Sequence, residues 1–124
     1  MGLDQYAYSC DPGLIKGDVD FERPESSNEI FYWRKHPDLQ GWMRNLYASK
    51  GGSDEQFNCV PVRLTEEDLN ELEEAVRDGD LPRTVGFFFG ESNEDEDKEG
   101  DLEFIRLARH ELAEGKAVFY YSWW

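Results

Sequence analysis

The sequence predicts a single small domain of the α+β or α/β class, with one sheet of about four to five strands and three helices. A chain of 124 residues has the usual size of one domain. Residues 3–9 and 117–124 have the alternating or aromatic pattern of strands. Residues 37–50 and 65–79 repeat apolar side chains at helical spacing. No internal repeat interrupts this order, so 1–124 is treated as one unit.

The N-terminal quarter predicts strands separated by turns. In the first strand Tyr6 and Tyr8 fall on one face, because side chains alternate along a strand. Residues 10–13, Cys-Asp-Pro-Gly, are typical of a turn. A second strand is predicted at 14–21, followed by a polar loop at 22–28.

The first helix follows an aromatic run. Residues 30–33 are too aromatic to be exposed along their whole length. Pro37 fits the first turn of a helix, where its missing N–H costs nothing. The apolar stripe of that helix is Leu39, Trp42, Met43, Leu46 and Tyr47, and Gly51-Gly52 ends it.

The middle of the chain predicts a strand and a well-capped helix. Residues 57–64 alternate as a strand, and Pro61 within them indicates an edge position or a bulge. Thr65 is an N-cap, with Asp68 in place of the usual glutamate of a capping box. Gly79 closes the helix.

The C-terminal part predicts a central strand, an acidic loop, a helix and a last strand. Residues 84–90 are apolar enough for a central strand. The acidic stretch predicts a mobile loop at about 91–101, which leads into a helix over 102–112. The final strand at 117–124 is too aromatic to stay exposed, so we expect it to be packed in.

Charge and composition restrict the partners. The net charge is -15, from 28 acidic and 13 basic side chains, which argues against direct contact with nucleic acid or anionic lipid. The sequence has no transmembrane run and no signal-peptide pattern. Two cysteines do not make a disulfide framework, so a cytoplasmic location is expected. The aromatic content would permit a homo-oligomer.

One run has the residue types of a binding site. Arginine holds a phosphate or carboxylate through two hydrogen bonds, and lysine adds a point charge. Aromatic rings stack on a base, and the helix start after Pro37 presents free N–H groups. The predicted site for an anionic, nucleotide-like ligand consists of Tyr32, Trp33, Arg34, Lys35, His36 and Trp42. The alternative is that the aromatic side chains are core and the cations pair with surface carboxylates.

Metal and cofactor chemistry find no support in the sequence. If Asp95 begins a calcium loop, Arg106 occupies the position of the bidentate glutamate, so a solvated acidic loop is the better interpretation. The cysteine and histidine residues Cys10, Cys59, His36 and His110 lack the spacing of zinc ligands. No metal and no cofactor are predicted.

Several segments together resemble a family of small bacteriophage and prophage proteins, some of which carry a phosphoglycerate kinase label. The resemblance is carried by Met-Gly-Leu-Asp-x-Tyr at 1–6, Phe-Tyr-Trp-Arg-Lys-His at 31–36, Gly-Trp-Met at 41–43, 57–64, Gly-Phe-Phe-Phe-Gly at 86–90 and Ser-Trp-Trp at 122–124. It implies a phage-encoded protein acting in a bacterial cytoplasm, against host defence. The kinase label does not fit, because the chain is far shorter than that two-domain enzyme and has no phosphate-binding loop.

Three hypotheses about function follow. The first is a non-enzymatic binding protein that sequesters a small anionic or nucleotide-like ligand. The second is an acidic inhibitor that binds a host protein, as a DNA mimic does, through its carboxylates. The third is a small enzyme that uses His36 with an acid such as Asp38. The sequence favours binding over catalysis, because it contains no recognisable catalytic motif.

Overall fold

A computed structural model describes residues 2–84 and 94–124. These residues form one four-stranded antiparallel sheet and three α-helices, so the predicted α+β class is confirmed. In chain order the elements are β1 (Asp4–Cys10), a 3₁₀ turn (Pro12–Leu14), β2 (Asn28–Arg34), α1 (Pro37–Ser49), β3 (Val62–Leu64), α2 (Glu66–Asp78), α3 (Glu94–Ala113) and β4 (Ala117–Trp123). No helix in the described part of the chain is long and apolar enough to cross a membrane.

The first and last strands lie side by side at the centre of the sheet. The strand order is β2-β1-β4-β3, and each neighbouring pair is antiparallel. Asp4 lies opposite Trp123, and Cys10 lies opposite Ala117. The aromatic strand β4 is therefore an interior strand, and most of it is packed in as expected, although Trp123 at its end is exposed.

The three helices cover one face of the sheet. Side chains from this face and from the helices form one buried cluster. The sheet contributes Ala7, Trp33, Val62, Leu64, Val118 and Tyr120, and the helices contribute Leu39, Met43, Tyr47, Leu69, Leu72, Val76, Phe104, Ile105 and Ala108. On the opposite face a smaller cluster is formed by strand residues and the β1–β2 connection, and none of its members comes from the three α-helices: Cys10, Ile15, Ala117 and Phe119, with Tyr8 and Phe21 packed against them.

Local capping fixes where the helices begin and end. The Thr65 side chain accepts the Asp68 N–H at 3.2 Å, and Asp68 accepts the Thr65 N–H at 2.8 Å, so the predicted capping box of α2 is confirmed. After α1, Gly51 has a φ of 90°, a conformation that glycine adopts without strain. The chain there turns back, and the Gly52 N–H bonds to the Tyr47 carbonyl at 3.0 Å.

Three strand predictions differ from the structure. Residues 14–21 are not a strand: Gly17 and Asp20 have positive φ angles that bend the chain, and only Val19 forms a bridge, opposite Val62. The strand predicted at 57–64 is confined to β3, because positive φ angles at Phe57 and Cys59 break the extended conformation. Conversely, β2 is a strand that the sequence interpretation did not assign.

The acidic segment also differs from its prediction. Residues 94–101, predicted as part of a loop, form the first turns of α3. Residues 91–93 of that loop lie outside the described residues, as does all but residue 84 of the strand predicted at 84–90. Placing 94–101 in a helix brings acidic side chains next to the end of β2.

Candidate functional site

Two of the predicted site residues, Trp33 and His36, meet at an aspartate of α3. The Trp33 Nε1–H donates to Asp101 Oδ1 at 3.0 Å, and His36 Nε2 lies 2.8 Å from Asp101 Oδ2. A second carboxylate oxygen, Asp97 Oδ2, lies 3.5 Å from His36 Nδ1. The His36 and Asp101 side chains are 3% and 1% exposed. We call Trp33, His36, Asp97 and Asp101 the His36 cluster.

The turn between β2 and α1 positions the histidine. Lys35 has a φ of 57°, which directs the chain from the strand into the helix, and its N–H bonds to the Leu3 carbonyl at 2.9 Å. Pro37 then begins α1. The side chain of Gln5, on β1, hydrogen-bonds both main-chain polar groups of His36. His36 is therefore held by its backbone on one side and by its ring on the other.

Burial dominates the electrostatics of the cluster. Removal of Asp101 from water raises the pKa of its carboxyl group, although hydrogen bonds from His36 and Trp33 act in the opposite direction. The nearby Asp97 raises the Asp101 pKa further. Because both His36 ring nitrogens face carboxylates, the cluster repels an anionic ligand from the ring. It can orient the ring and hold or pass a proton between His36 and Asp101.

The helix-free face of the sheet carries a regular array of aromatic side chains. Strand register places Tyr32, Tyr6 and Tyr121 in one row across three strands. The next row, toward the N-terminal end of β1, is Arg34, Asp4 and Trp123, and the row on the other side is Glu29, Tyr8 and Phe119. We call the surface formed by Tyr6, Tyr8, Tyr32, Tyr121 and Trp123 the tyrosine face.

The connection between β1 and β2 covers only one end of this surface. Ile15 and Phe21 pack near Phe119, with the Phe21 ring edge-on at 5.1 Å between centroids. The Arg23 guanidinium lies over the Tyr8 ring, 4.9 Å from its centroid. At the other end Tyr32 and Trp123 are 43% and 60% exposed. The tyrosine face is thus open around the Tyr32 and Trp123 rows.

Carboxylates lie beside the open rings. The Tyr32 hydroxyl donates to Asp4 Oδ1 at 2.6 Å, and this bond raises the pKa of the Tyr32 hydroxyl. Partial burial raises the pKa of Tyr6, and Asp4 and Glu29 raise it further. The phenol groups therefore remain neutral at physiological pH, as donors at the edge of an aromatic surface.

The structure divides the six predicted site residues between the two faces of the sheet. Trp33 and His36 lie in the His36 cluster, whereas Tyr32 and Arg34 point to the opposite face of the sheet. Lys35 is exposed in the turn, and Trp42 is partly buried against the core. Among the other candidates, Asp38 accepts the Thr84 N–H at 2.9 Å, and Asp101 takes the role beside His36 that Asp38 was predicted to have.

Metal-binding geometry does not occur in the described residues. Within 2–84 and 94–124, no three His, Cys, Asp or Glu side chains are grouped so that they could hold a metal ion. Cys10 is buried and Cys59 is exposed, and neither forms a disulfide.

Comparisons of the chain with protein-family models, with curated proteins and with solved structures found no significant match. Function is therefore inferred from the His36 cluster and the tyrosine face themselves.

Proposed function

We propose that this chain is a non-enzymatic binding protein that recognises another protein through its tyrosine face. The supporting observation is the row of Tyr32, Tyr6 and Tyr121 on the side of the sheet that the helices leave uncovered. Tyrosine, tryptophan and arginine are the residue types that contribute most to protein interfaces. A cluster of large exposed aromatic side chains on one surface is unusual unless that surface has a partner.

The rigidity of the tyrosine face also favours recognition of a large surface. Its side chains stand on the two central strands and on β2, so their positions are fixed by the sheet register. Rings that are already ordered lose little conformational entropy on binding. With a net charge of -15, the chain would be steered toward a basic protein surface. The resemblance to phage proteins makes a bacterial host protein the expected partner.

Catalysis by His36 has less support than binding. Its ring is buried, and both ring nitrogens lie near carboxylates of α3. A general base needs access to the proton that it removes. The His36 cluster instead fixes the junction of β2 and α1 on the helix-covered side of the sheet.

A small anionic ligand is the second candidate, at a smaller site than the sequence predicts. The Arg34 and Lys35 side chains lie close to Gly2. A Cβ atom added to Gly2 would be 3.9 Å from Arg34 Nη2 and 3.5 Å from Lys35 Cε. Together with the exposed ring of Tyr32, they are two cations beside a stacking surface. A nucleotide-like anion would bind at this rim of the sheet, away from His36.

Differential capture from a bacterial lysate tests the protein-binding proposal. The immobilised native chain is compared with a Tyr32→Ser/Trp123→Ser variant, in which two exposed rings of the tyrosine face are removed. The matched control is Leu14→Ser, which removes an exposed apolar side chain beyond the opposite end of β1. We expect a protein that binds the native chain and the control but not the double variant. Equal capture by all three would contradict the proposal.

A thermal-shift screen against mono-, di- and cyclic nucleotides tests the second candidate. A ligand at about 100 times its dissociation constant adds roughly 2.7 kcal/mol to the free energy of unfolding. For a domain of this size that is a shift of several degrees. A shift that disappears in Arg34→Ala but persists in Arg44→Ala, an exposed arginine of α1, would support the anion site. Shifts that are equal in the two variants would eliminate it.

A further inference from the structure

We infer that the partner of the tyrosine face presents an arginine side chain, which binds at the corner formed by Tyr6, Tyr32 and Asp4. The inference rests on the proposed function, since it names the chemistry of the partner at the same surface. Three independent observations support it: the shape of the corner, a guanidinium already bound on a neighbouring ring, and the charge of the chain.

The corner has the components of a cation site. The Tyr6 and Tyr32 rings are neighbours, tilted by 50° with their centroids 5.2 Å apart, and Tyr32 is one of the exposed rings of the sheet. The Asp4 carboxylate lies beside these rings and accepts the Tyr32 hydroxyl at 2.6 Å. A carboxylate has further acceptor positions, and it prefers the paired donors of a guanidinium. Ring faces attract a cation through their quadrupole.

The same surface already binds one guanidinium. The Arg23 guanidinium lies 4.9 Å from the centroid of Tyr8, which stacks on Tyr6 at 5.9 Å between ring centroids. Arg23 reaches Tyr8 from the β1–β2 connection, which covers only that end of the face. A partner arginine on Tyr6 and Tyr32 would repeat this contact one row further along the sheet.

Charge favours a cationic partner over a second copy of the chain. Each copy carries a net charge of -15, so two copies repel each other at long range. A basic segment is attracted at long range, and at short range the two carboxylates Asp4 and Glu29 beside Tyr6 attract a cation while Arg34, opposite Asp4, repels it. Arginine suits the site better than lysine, because its planar group stacks on a ring while it bonds to a carboxylate.

Titration of the isotopically labelled chain with short peptides tests this inference. The probes are peptides of alternating glycine with arginine, with lysine, or with glutamate. We expect the arginine peptide to shift the amide signals of Asp4, Tyr6 and Tyr32, with weaker binding of the lysine peptide and none of the glutamate peptide. Tyr32→Leu should weaken arginine-peptide binding about two- to fivefold, the loss expected for one exposed cation–ring contact. Tyr32→Phe keeps the ring and should retain most of the binding.

A control separates this site from general attraction to an acidic protein. Glu71→Gln/Glu74→Gln removes two exposed carboxylates of α2 and should weaken peptide binding less than Tyr32→Leu does. Signal changes confined to α2 and α3, with Tyr32→Leu indistinguishable from the native chain, would overturn the inference. So would concentration-dependent shifts of the same signals without any peptide, which would make a second copy the occupant.

The lysate experiment distinguishes failure of this inference from failure of the proposed function. If Tyr32→Ser/Trp123→Ser loses a captured protein but the arginine peptide does not contact the corner, the binding surface is correct and the arginine is wrong. If neither experiment involves the tyrosine face, both proposals fail.

Discussion

The side-chain amide of Gln5 holds both main-chain polar groups of His36. Its Oε1 accepts the His36 N–H at 2.8 Å, and its Nε2 donates to the His36 carbonyl at 3.0 Å. The same Nε2 donates to the Tyr120 hydroxyl at 2.8 Å, and that hydroxyl donates to Gln40 at 2.6 Å. One buried side chain of β1 thus ties the β2–α1 junction to β4 and to α1.

Replacing this amide by an apolar group of similar size should destabilise the fold strongly. In Gln5→Leu the His36 N–H would stay buried without its partner, and the buried Tyr120 hydroxyl would lose one donor, whereas the His36 carbonyl would keep the Gln40 N–H at 3.2 Å. A buried donor left without a partner costs about 1–3 kcal/mol, so we expect the free energy of unfolding to fall by at least about 1 kcal/mol. Urea unfolding measures the change. Gln56→Leu, at an exposed glutamine, is the control and should change stability by no more than about 0.5 kcal/mol. If the two substitutions lowered stability equally, the Gln5 amide would not be what stabilises the β2–α1 junction.

Asp101 should give the stability a characteristic pH dependence. Its pKa is raised in the folded chain, chiefly by burial. A carboxyl group with a raised folded pKa stabilises the fold below its ordinary pKa, and this contribution is lost as pH rises through the folded pKa. Asp101→Asn mimics the protonated group and has no such term. We therefore expect the stability of the native chain relative to Asp101→Asn to fall as pH rises above the ordinary carboxyl pKa of about 4.

Urea unfolding of both proteins at a series of pH values measures this difference. The titratable groups near Asp101 are His36, Asp97 and Tyr120, and these three and the Trp33 N–H donor are kept in the variant. A relative stability of the native chain that increases with pH would show that the Asp101 pKa is lowered and would refute the prediction.

The two cysteines should react at very different rates. Cys10 is 3% exposed, and burial raises the pKa of its thiol, whereas Cys59 is exposed at the edge of the sheet. Alkylation needs an accessible thiolate. In the folded chain we expect a maleimide to label Cys59 alone, and in urea to label both, as mass spectrometry would show. Cys59→Ser should then remain unlabelled when folded; rapid labelling of that variant would contradict the burial of Cys10.

Gly41 should tolerate alanine poorly although it lies inside a helix. Alanine normally stabilises an exposed helix position relative to glycine by up to about 1 kcal/mol. Here an added Cβ would overlap Thr84 Oγ1 and lie 3.1 Å from Thr84 Cβ. We expect Gly41→Ala to lose roughly 1–2 kcal/mol, as overpacking does. Thermal unfolding measures it.

A second substitution tests the cause of that loss. Thr84→Ala removes the overlapping Oγ1 atom, so the Gly41→Ala/Thr84→Ala chain should recover part of the stability lost in Gly41→Ala. A purely additive double variant would mean that the loss has another origin.

Local signals predicted the helices better than the strands. The Thr65–Asp68 capping box and the helix start at Pro37 depend on residues within a few positions, and both are present. The strand predicted at 14–21 was wrong because alternation says nothing about a backbone partner. The residues of β2 were interpreted as a site, although Tyr32 and Trp33 alternate between the two faces as strand residues do.

The pairing of His36 with Asp101 could not be predicted, since the two residues are 65 positions apart and meet only when α3 packs against the sheet. One signal was available. Asp101 precedes the buried Phe104, Ile105 and Ala108 at helical spacing, so it continues the buried stripe of α3. An acid on an apolar stripe must find a partner, and a buried histidine is a suitable one. The pattern was missed because the acidic composition of residues 91–101 was interpreted as a loop, so Asp101 was not counted as part of the helix.

Alternation along the strand predicted that Tyr6 and Tyr8 lie on the same face of β1, and the strand register confirms it. What the sequence could not show is which face the helices would cover. Both faces of β4 carry large rings, Tyr120 on one and Phe119 and Tyr121 on the other, so the packing of α1, α2 and α3 decides which of them become core and which form the tyrosine face.

Central pairing of β1 with β4 has a consequence for how the chain folds. Contacts between residues so distant in sequence close a very long loop, which slows folding. During synthesis β1 can pair only with β2 until β4 leaves the ribosome, and its inner edge stays open for that time. We expect folding to be completed only after β4 has emerged. A nascent chain stalled before residue 117 should therefore be sensitive to protease and prone to aggregate.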